Sequence, residues 1–319
     1  MEKILGAEQA KWVDSFSQKM LRASAAETWS GHWDTRFPEL CTFAELFPAH
    51  KQKLMVEIGC GNALGSAFFS NRFEKIIATD LAQEDHQKHA IGFDKAKKLL
   101  AHLEIKNIEL VGCSAEQLPF SDATVDVIFG MYCLEHIPDQ SKALQECLRV
   151  LRKNGELIVS VPAAAWSVFF PLFFYYEIFF RVIHRLGRKI FSRKVVVSNS
   201  QALLEGEPEV QVVVKDWKSF HKAYPHFPIP EPHGVYKSYF HEFISYRPSA
   251  WRNLLDKEGF QSIELHAVSI IPRGLFIVFL GNKWGNAVFE KLLPLDHLLC
   301  RQACLMSFAQ FLSIRARKN

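Results

Sequence analysis

The alternation of strand and helix patterns that begins at residue 53 is the feature that most restricts what this chain can fold into. Five apolar segments of strand length are separated by stretches of helical or turn character, and they cover residues 53–58, 75–80, 107–112, 125–130 and 155–162. Such an order is typical of a doubly wound sheet, because each crossover returns the chain to the edge where the next parallel strand begins. The expected fold class is therefore α/β.

One helix between these strands is better defined than the rest. In segment 139–155, Leu144, Leu148 and Leu151 lie on one predicted helical face, and Gly155 follows the last of them. An apolar face of this kind packs against a sheet, and glycine commonly ends a helix. We expect a helix over most of this segment.

The alternating pattern stops after residue 162 and resumes near residue 248. We then predict a helix over 249–260 and two further strands over 261–270 and 273–281. The chain is thus expected to consist of an N-terminal helical cap at 1–50, a core at 51–162 and 248–282, an insertion at 163–247, and a C-terminal helical tail at 283–319.

Composition limits the classes of partner and compartment. Of the 319 residues 49% are hydrophobic, enough for a sizeable core, and the net charge of +4 forms no basic stripe with interleaved aromatics. We therefore expect no nucleic-acid partner. The seven cysteines include no CxxC pair, which argues against a disulfide framework or a zinc site, so no metal is predicted. Reduced thiols and an N-terminus without a signal-peptide pattern favour a cytoplasmic protein.

A glycine-containing turn follows the first strand directly, in the stretch VEIGCGNALG at 56–65. Glycines between a strand and a helix let the backbone approach a ligand and direct its N–H groups toward it. The dinucleotide fingerprint G-x-G-x-x-G would need a glycine at Leu64, and the glycine comes one place late at Gly65. A nicotinamide dehydrogenase is therefore disfavoured.

Five motifs in order resemble class I S-adenosylmethionine-dependent methyltransferases, the broad family that includes quinone-biosynthesis enzymes. They are VEIGCG, IIATDL, CSAEQLPFSDATVDVIFG, LEHIPD and LRVLRKNGELIVSVP. The resemblance covers about residues 53–162 and 248–281. It implies a Rossmann-like methyltransferase sheet, with a large insertion between the fifth strand and the last core helix, and S-adenosyl-L-methionine as the cofactor.

The same resemblance implies which residues bind the cofactor: Glu57, Gly59, Gly61, Asp80, Leu81, Ser114, Ala115 and Glu116. Glu57 is expected to meet the ammonium group, directly or through water, and Asp80 both ribose hydroxyls, with Leu81 beside the adenine. Each acid also has an alternative use. Asp80 can cap the following helix, and Glu57 can be a strand-end carboxylate bonded to backbone.

Two positions depart from the family pattern. Ala63 stands where a third glycine is usual, and Ser114 stands where an acidic residue commonly receives the adenine amino group. Serine accepts that hydrogen bond without the assistance of a charge, so weaker cofactor binding is expected unless Glu116 compensates.

Methyl transfer from a sulfonium is an in-line displacement that depends mainly on alignment and the exclusion of water. A hydroxyl acceptor would also need a base, and histidine suits that role near neutral pH. The candidates are His136 in LEHIPD and, within the insertion, His233 and His241. Tyr132, at a strand end, is a candidate for lining the acceptor pocket. The alternative for His136 is a structural place in its turn.

The insertion begins with an aromatic run, residues 163–194. The last part of this run, 181–194, contains six basic residues: Arg181, Arg185, Arg188, Lys189, Arg193 and Lys194. Pro171 and Glu177 argue against a simple membrane span, as does the need for strands on both sides of the run to join one sheet. We expect an interfacial segment, with rings toward acyl chains and bases toward anionic headgroups. A buried lid over the active site is the alternative, and both can hold.

These features together predict a cytoplasmic, peripherally membrane-bound methyltransferase that acts on a hydrophobic or lipid-linked small acceptor, at oxygen. One alternative is N- or C-methylation of a soluble metabolite or glycan precursor. Another is an inactive cofactor-binding scaffold or assembly protein. The sequence leaves the oligomeric state open.

Overall fold

The computed structural model describes residues 51–81, 93–169 and 232–319 without a break, together with 14–16, 18, 20, 40, 43–47, 171–172 and 175. Most of the predicted N-terminal cap lies outside these residues. So do most of the aromatic run and all six basic residues that follow it. The expectation of membrane contact through that run therefore concerns a segment outside the described residues.

Seven strands of the described chain form one sheet: β1 (Gln52–Ile58), β2 (Phe73–Asp80), β3 (Ile108–Gly112), β4 (Val125–Met131), β5 (Leu151–Pro162), β6 (Gln261–Val268) and β7 (Phe311–Arg317). Their order is β3-β2-β1-β4-β5-β7-β6. The first five strands are parallel, and β7 runs antiparallel to both of its neighbours. The predicted doubly wound, Rossmann-like α/β sheet is confirmed. Its order switches direction between β1 and β4, where such sheets open a ligand crevice.

The α-helices whose two ends both lie in the described residues are α1 (Leu64–Phe69), α2 (Asp94–His102), α3 (Gln140–Val150), α4 (Tyr239–Ser245), α5 (Pro248–Lys257) and α6 (Arg273–Cys300). A further helical segment at 164–169 follows β5. The side chain of Asp139 caps α3 by accepting a 3.0 Å hydrogen bond from the N–H of Lys142. The helix ends at Val150, earlier than the sequence pattern predicted, because Leu151 is already paired with Val125 in the sheet.

The prediction of a last strand at 273–281 is wrong. These residues begin α6, and the last strand is β7, which lies inside the region predicted as a helical tail at 283–319. An unbroken apolar run is compatible with a helix as well as with a buried strand. The helix α6 extends over 28 residues, far longer than a typical strand. β7 alternates instead, with Leu312, Ile314 and Ala316 fully buried.

The sheet separates two apolar clusters, because alternate strand residues point to opposite faces. Val56 belongs to one cluster, which includes side chains of α3 and α5, and Met55 belongs to the other. In the second cluster Phe47 stacks on Phe69 with ring centroids 4.0 Å apart and meets Phe129 edge-on at 5.6 Å. The described part of the N-terminal segment therefore covers one face of the sheet.

Within the residues described, no helix combines the length and the apolar character needed to cross a bilayer.

Candidate functional site

The turn after β1 requires glycine for two reasons. Gly59 and Gly61 have φ values of +63° and +53°, in the left-handed region that favours glycine. A Cβ atom on Gly59 would also lie 2.5 Å from the Cβ of Cys133, in the turn after β4. Ala63 adopts φ +59° as well, so a methyl group occupies the third left-handed position of this turn. The two turns at the switch point are thus in direct contact.

Asp80 ends β2 beside this turn. Its Oδ2 accepts a 2.7 Å hydrogen bond from the N–H of Gly61, and its Oδ1 accepts a 2.8 Å bond from the N–H of Leu81. Burial raises the pKa of the carboxyl group, and the two backbone bonds oppose that shift. Each carboxylate oxygen has a further lone pair, which leaves capacity for two ribose hydroxyls. Leu81 is 37% exposed, as an open wall for adenine requires. The alternative role of Asp80 as a helix cap concerns residues 82–92, which lie outside the described residues.

Glu57 is buried beneath the start of α1. Its Oε2 accepts a 2.8 Å hydrogen bond from the N–H of Ser66 and a second bond from the Ser66 hydroxyl. Burial raises the pKa of Glu57 to about 7, against the effect of both bonds to Ser66. This is the strand-end carboxylate bonded to backbone that the sequence left as one alternative.

The contacts of Glu57 also explain the glycine that comes one place late for a dinucleotide fingerprint. A Cβ atom on Gly65 would lie 2.5 Å from Oε1 of Glu57 and 2.6 Å from the ring of Phe129. Gly65 therefore makes room for a buried carboxylate and an aromatic ring. No ligand needs to be invoked to account for it.

The turn after β3 closes the crevice on the side of Asp80. The N–H of Cys113 donates to the carbonyl of Asp80 at 2.8 Å. The hydroxyl of Ser114 accepts a 3.1 Å bond from the N–H of Glu116, and Ala115 between them is partly exposed. The carboxylate of Glu116 accepts a 3.0 Å bond from the N–H of Asp139, so it joins this turn to the start of α3.

Three side chains converge after β4. Glu135 is fully buried, and its Oε1 lies 4.0 Å from Nε2 of His136 and 4.0 Å from Nε2 of His233. The two imidazole rings meet edge to face with centroids 4.9 Å apart. The side chain of His136 is 45% exposed, whereas that of His233 is 10% exposed. We call these three residues the acid–histidine cluster.

The insertion supplies one histidine of the cluster and holds it in place. The N–H of His233 donates a 2.6 Å bond to the buried carboxylate of Glu242 on α4, and the N–H of Val235 donates to the carbonyl of Glu135 at 3.0 Å. The Trp166 ring, on the helical segment after β5, lies 5.7 Å from the His233 ring. The described end of the insertion therefore packs directly on the motif LEHIPD.

The other acceptor-side candidates are placed differently. His241 is exposed in the first turn of α4, and its Nδ1 lies 2.9 Å from the hydroxyl of Ser238. Tyr132 takes φ +52° directly after β4, and its ring meets that of Phe311 edge-on at 4.8 Å. A tyrosine in the left-handed region is an outlier of the kind that concentrates at functional sites.

Sequence reasoning missed two members of this neighbourhood, Glu135 and Glu242. Glu135 directly precedes His136 in LEHIPD, so its position was visible, but its burial and its contact with His233 were not. The sequence offers no signal for Glu242, because its role depends on how the insertion folds back.

An apolar groove of about 620 Å³ lies behind the helical segment 164–169. Val168 and Phe169 of that segment line it together with Phe243 and Phe308. The guanidinium of Arg247 lies 5.4 Å from the Phe243 ring centroid. Because the same helical segment carries Trp166, the groove and the acid–histidine cluster flank one short piece of backbone.

The sequence of the core matches a known family model. Residues 56–159, from β1 to β5, match the model of a methyltransferase domain.

Similar proteins include a probable S-adenosylmethionine-dependent methyltransferase of Mycobacterium tuberculosis, 28% identical over 120 residues that are 38% of this chain and 39% of that protein. A ubiquinone/menaquinone biosynthesis C-methyltransferase of Vibrio vulnificus is 34% identical over 131 residues, 40% of this chain and 48% of that one. A sterol 4-C-methyltransferase of Caenorhabditis elegans is 28% identical over 120 residues, 37% of this chain and 34% of that one. The chain thus spans less than half the length of each of these relatives.

Proposed function

We propose that this chain, which carries a class I S-adenosylmethionine-dependent methyltransferase domain over residues 56–159, methylates a hydrophobic small acceptor. The observation that carries the proposal is the contact between the left-handed glycine turn and Asp80 at the switch point of the sheet. S-adenosylmethionine supplies, when bound, a methyl group made electrophilic by the adjoining sulfonium. The residues of the chain bind the cofactor, orient the acceptor and remove the proton of a hydroxyl acceptor.

The crevice fits this cofactor. Gly59 and Gly61 permit close approach of the backbone, and Asp80 offers two acceptors of fixed direction to the ribose. Leu81 offers an apolar surface to the adenine, and the partly exposed turn Ser114–Glu116 follows Cys113, whose N–H is bonded to the carbonyl of Asp80. Glu57 is bonded to Ser66, so we assign it to holding the start of α1 and to the local electrostatic field, with any effect on the ammonium group arising through that field.

On the acceptor side we propose the acid–histidine cluster as the base for O-methylation. His136 is its exposed member, so it is the one that can receive a hydroxyl proton. Glu135, at 4.0 Å, would stabilise the imidazolium that forms, and His233 completes the wall. Tyr132 is proposed to line the acceptor pocket. We leave His241 as a weaker candidate, because it is exposed and bonded to Ser238.

The apolar groove supports a hydrophobic acceptor, since its lining offers three aromatic rings and includes residues of the helical segment whose Trp166 ring lies 5.7 Å from that of His233. Two side chains of its lining are highly exposed, Val168 at 49% and Phe308 at 63%, and so is Leu172, at 58%, which follows the segment in sequence. Exposed apolar surface of this kind favours contact with a membrane or another apolar partner. We therefore propose a cytoplasmic protein that binds peripherally to an anionic membrane and acts on a lipid-linked acceptor.

A second candidate function is C-methylation. The observation that favours it is that two of the relatives reported above are named C-methyltransferases, one in ubiquinone/menaquinone biosynthesis and one acting on sterols. Both names also fit a hydrophobic acceptor. N-methylation of a soluble compound, or a scaffold that binds the cofactor without turnover, are the remaining alternatives.

The test is incubation of the full chain with methyl-labelled S-adenosylmethionine and separately extracted lipids, soluble metabolites and proteins. We expect label in the lipid fraction, and a product whose methyl carbon has the NMR shift of a methyl ether. A methyl bonded to carbon would favour the second function, and label in the soluble fraction would overturn the hydrophobic acceptor. Cofactor binding without label in any fraction would identify the scaffold.

A further inference from the structure

The acid–histidine cluster brings together more than a general base requires. One ligand atom from each of Glu135, His136 and His233 lies within 4.8 Å of the other two. Oε1 of Glu135 is 4.0 Å from Nε2 of His136 and 4.0 Å from Nε2 of His233, which is longer than a hydrogen bond. Three potential ligand atoms therefore surround a common point without bonding directly to one another.

We infer that the acid–histidine cluster binds a divalent transition-metal ion. Two imidazoles and one carboxylate are a donor set that zinc and ferrous iron accept with coordination positions left open, whereas magnesium and calcium prefer oxygen ligands alone. Ligand atoms of a tetrahedral site with bonds of about 2.1 Å are about 3.4 Å apart. The three side chains reach that spacing when the two 4.0 Å separations shorten by about 0.6 Å and the third by at most about 1.4 Å.

The surroundings of the cluster are built for this approach. A Cβ atom on Gly234 would lie 2.5 Å from the Tyr246 hydroxyl and 2.8 Å from the carbonyl of Glu135. Only glycine at this position lets the backbone after His233 lie against Glu135. The bond from His233 N–H to buried Glu242 fixes the same backbone from the other side. These two contacts fix the backbone that carries the His233 imidazole relative to Glu135.

The placement of the cluster gives the ion an accessible face. Glu135 is fully buried and His233 nearly so, whereas His136 is half exposed, so a ligand reaches the site from the side of His136. Where the acceptor is the hydroxyl compound proposed above, its oxygen could occupy the open position. Coordination to a metal lowers the pKa of a bound hydroxyl. The O–H bond then breaks with the proton leaving to solvent, the O–CH₃ bond forms and the S–CH₃ bond breaks. With the ion bound both imidazoles are ligands, and the ion replaces His136 in the role of base proposed above; without the ion, His136 is the base.

The experiment measures binding of Zn²⁺ to the chelator-treated full chain by calorimetry, without cofactor or acceptor, so that its outcome is independent of methyl transfer. We expect one high-affinity equivalent. His136→Gln and His233→Gln should each weaken it by at least about 100-fold, because the loss of outer contacts alone costs 10–100-fold at metal sites. His241→Gln removes an exposed histidine of α4 and should leave binding unchanged.

Two further measurements keep the result interpretable. Affinity for S-adenosylmethionine should persist in His136→Gln, which alters a half-exposed side chain, and so shows that the variant is folded. Co²⁺ in place of Zn²⁺ should give visible bands of nitrogen and oxygen ligation without thiolate charge transfer. Absence of stoichiometric binding in the wild type overturns the inference. Equal binding by all three histidine variants, or loss of binding in Cys304→Ser, an exposed thiol, also overturns it.

Discussion

The backbone N–H of Gly61 donates a 2.7 Å hydrogen bond to Oδ2 of Asp80, and this bond joins the turn after β1 to the end of β2. The carboxylate thereby fixes the glycine turn while it keeps lone pairs for a ligand. β1 and β2 are parallel, so both strands end at the same edge of the sheet. This places the Asp80 carboxylate at the switch point. One residue therefore serves both the fold of the crevice and the proposed binding of ribose.

Replacement of Asp80 tests this double role. Asp80→Ala should weaken S-adenosylmethionine binding by about 1.5–3 kcal/mol, the range for hydrogen bonds to a charged group, which is about tenfold or more in Kd. Asp80→Asn keeps one acceptor oxygen for Gly61, so it should fold like the wild type and still bind the cofactor more weakly. Calorimetric titration measures both. Glu109→Gln, an exposed acid on β3, is the control. Wild-type affinity in Asp80→Asn would limit Asp80 to holding the turn.

The buried carboxyl of Glu57 should make stability depend on pH in an unusual direction. Its pKa is about 7 in the folded chain, because burial disfavours the charge, against 4.5 as the ordinary value. Between these values the folded state holds more protons than the unfolded state, so the free energy of unfolding falls as pH rises. The loss should approach about 3 kcal/mol by pH 8.

Glu57→Gln removes this titration and retains an oxygen that accepts from the N–H of Ser66. Urea unfolding at pH 5 and pH 8 should show that the wild type loses stability relative to the variant across that window. Contributions from other titrating groups cancel in the comparison. Parallel pH profiles for the two proteins would mean that Glu57 is charged in the folded state throughout.

The sequence was sufficient for the parts of the fold where the pattern is short-range. β1 to β5 and the glycine turn were predicted from apolar segments that alternate with helical stretches. Each of these elements is predictable from about ten neighbouring residues. The pattern failed at 273–281, where the unbroken apolar run 275–280 has no period that distinguishes strand from helix. It also failed at β7, where seven residues of period 2 directly follow a longer apolar stretch.

The candidate site divides in the same way. Gly59, Gly61 and Asp80 lie within one strand–helix–strand unit, β1–α1–β2, and their relation is visible in the sequence. The contact between Glu135 and His233 joins residues 98 positions apart across an insertion without clear periodicity, so no local pattern predicts it. The sequence named both histidines and offered no reason to pair them.

Glu156 should hold the antiparallel strand β7 in register. Its Oε1 accepts bonds from Arg315 at 2.6 Å and Arg317 at 2.8 Å, and the carboxylate is buried. Glu156→Ala leaves two neighbouring cations without their common partner. We expect a loss of about 2 kcal/mol in the free energy of unfolding, less than for a fully buried pair because the Arg317 side chain is 45% exposed.

The matched control is Glu264→Ala, which removes the other acid near Arg315. Glu264 is half exposed and its carboxylate lies 4.0 Å from that guanidinium, so its removal should cost less than about 1 kcal/mol. Urea unfolding of both variants measures the two losses in the free energy of unfolding. Equal losses would show that burial of the carboxylate contributes nothing to the register of β7.

The proposed membrane contact has two physical parts that salt separates. Each basic residue near an anionic surface contributes about 1 kcal/mol, and the attraction is screened beyond about 10 Å at 0.1 M salt. Apolar side chains such as Val168 and Phe308, both exposed, would contribute a part that salt does not screen. Vesicle binding should therefore rise with anionic lipid content and fall to a nonzero level as salt increases.

Replacing the six basic residues of the run by glutamine should remove only the salt-sensitive part of vesicle binding. These residues are Arg181, Arg185, Arg188, Lys189, Arg193 and Lys194. Lys97→Gln with Lys98→Gln on α2, two exposed bases between β2 and β3, should leave vesicle binding unchanged and thereby exclude a general effect of net charge. Cofactor affinity should be the same in all of these proteins, because Asp80 and the glycine turn are untouched. Flotation with vesicles of increasing phosphatidylserine content gives the measurement. Binding that ignores both salt and lipid charge would refute the electrostatic part, and absence of binding under all conditions would leave the apolar groove to serve the acceptor alone.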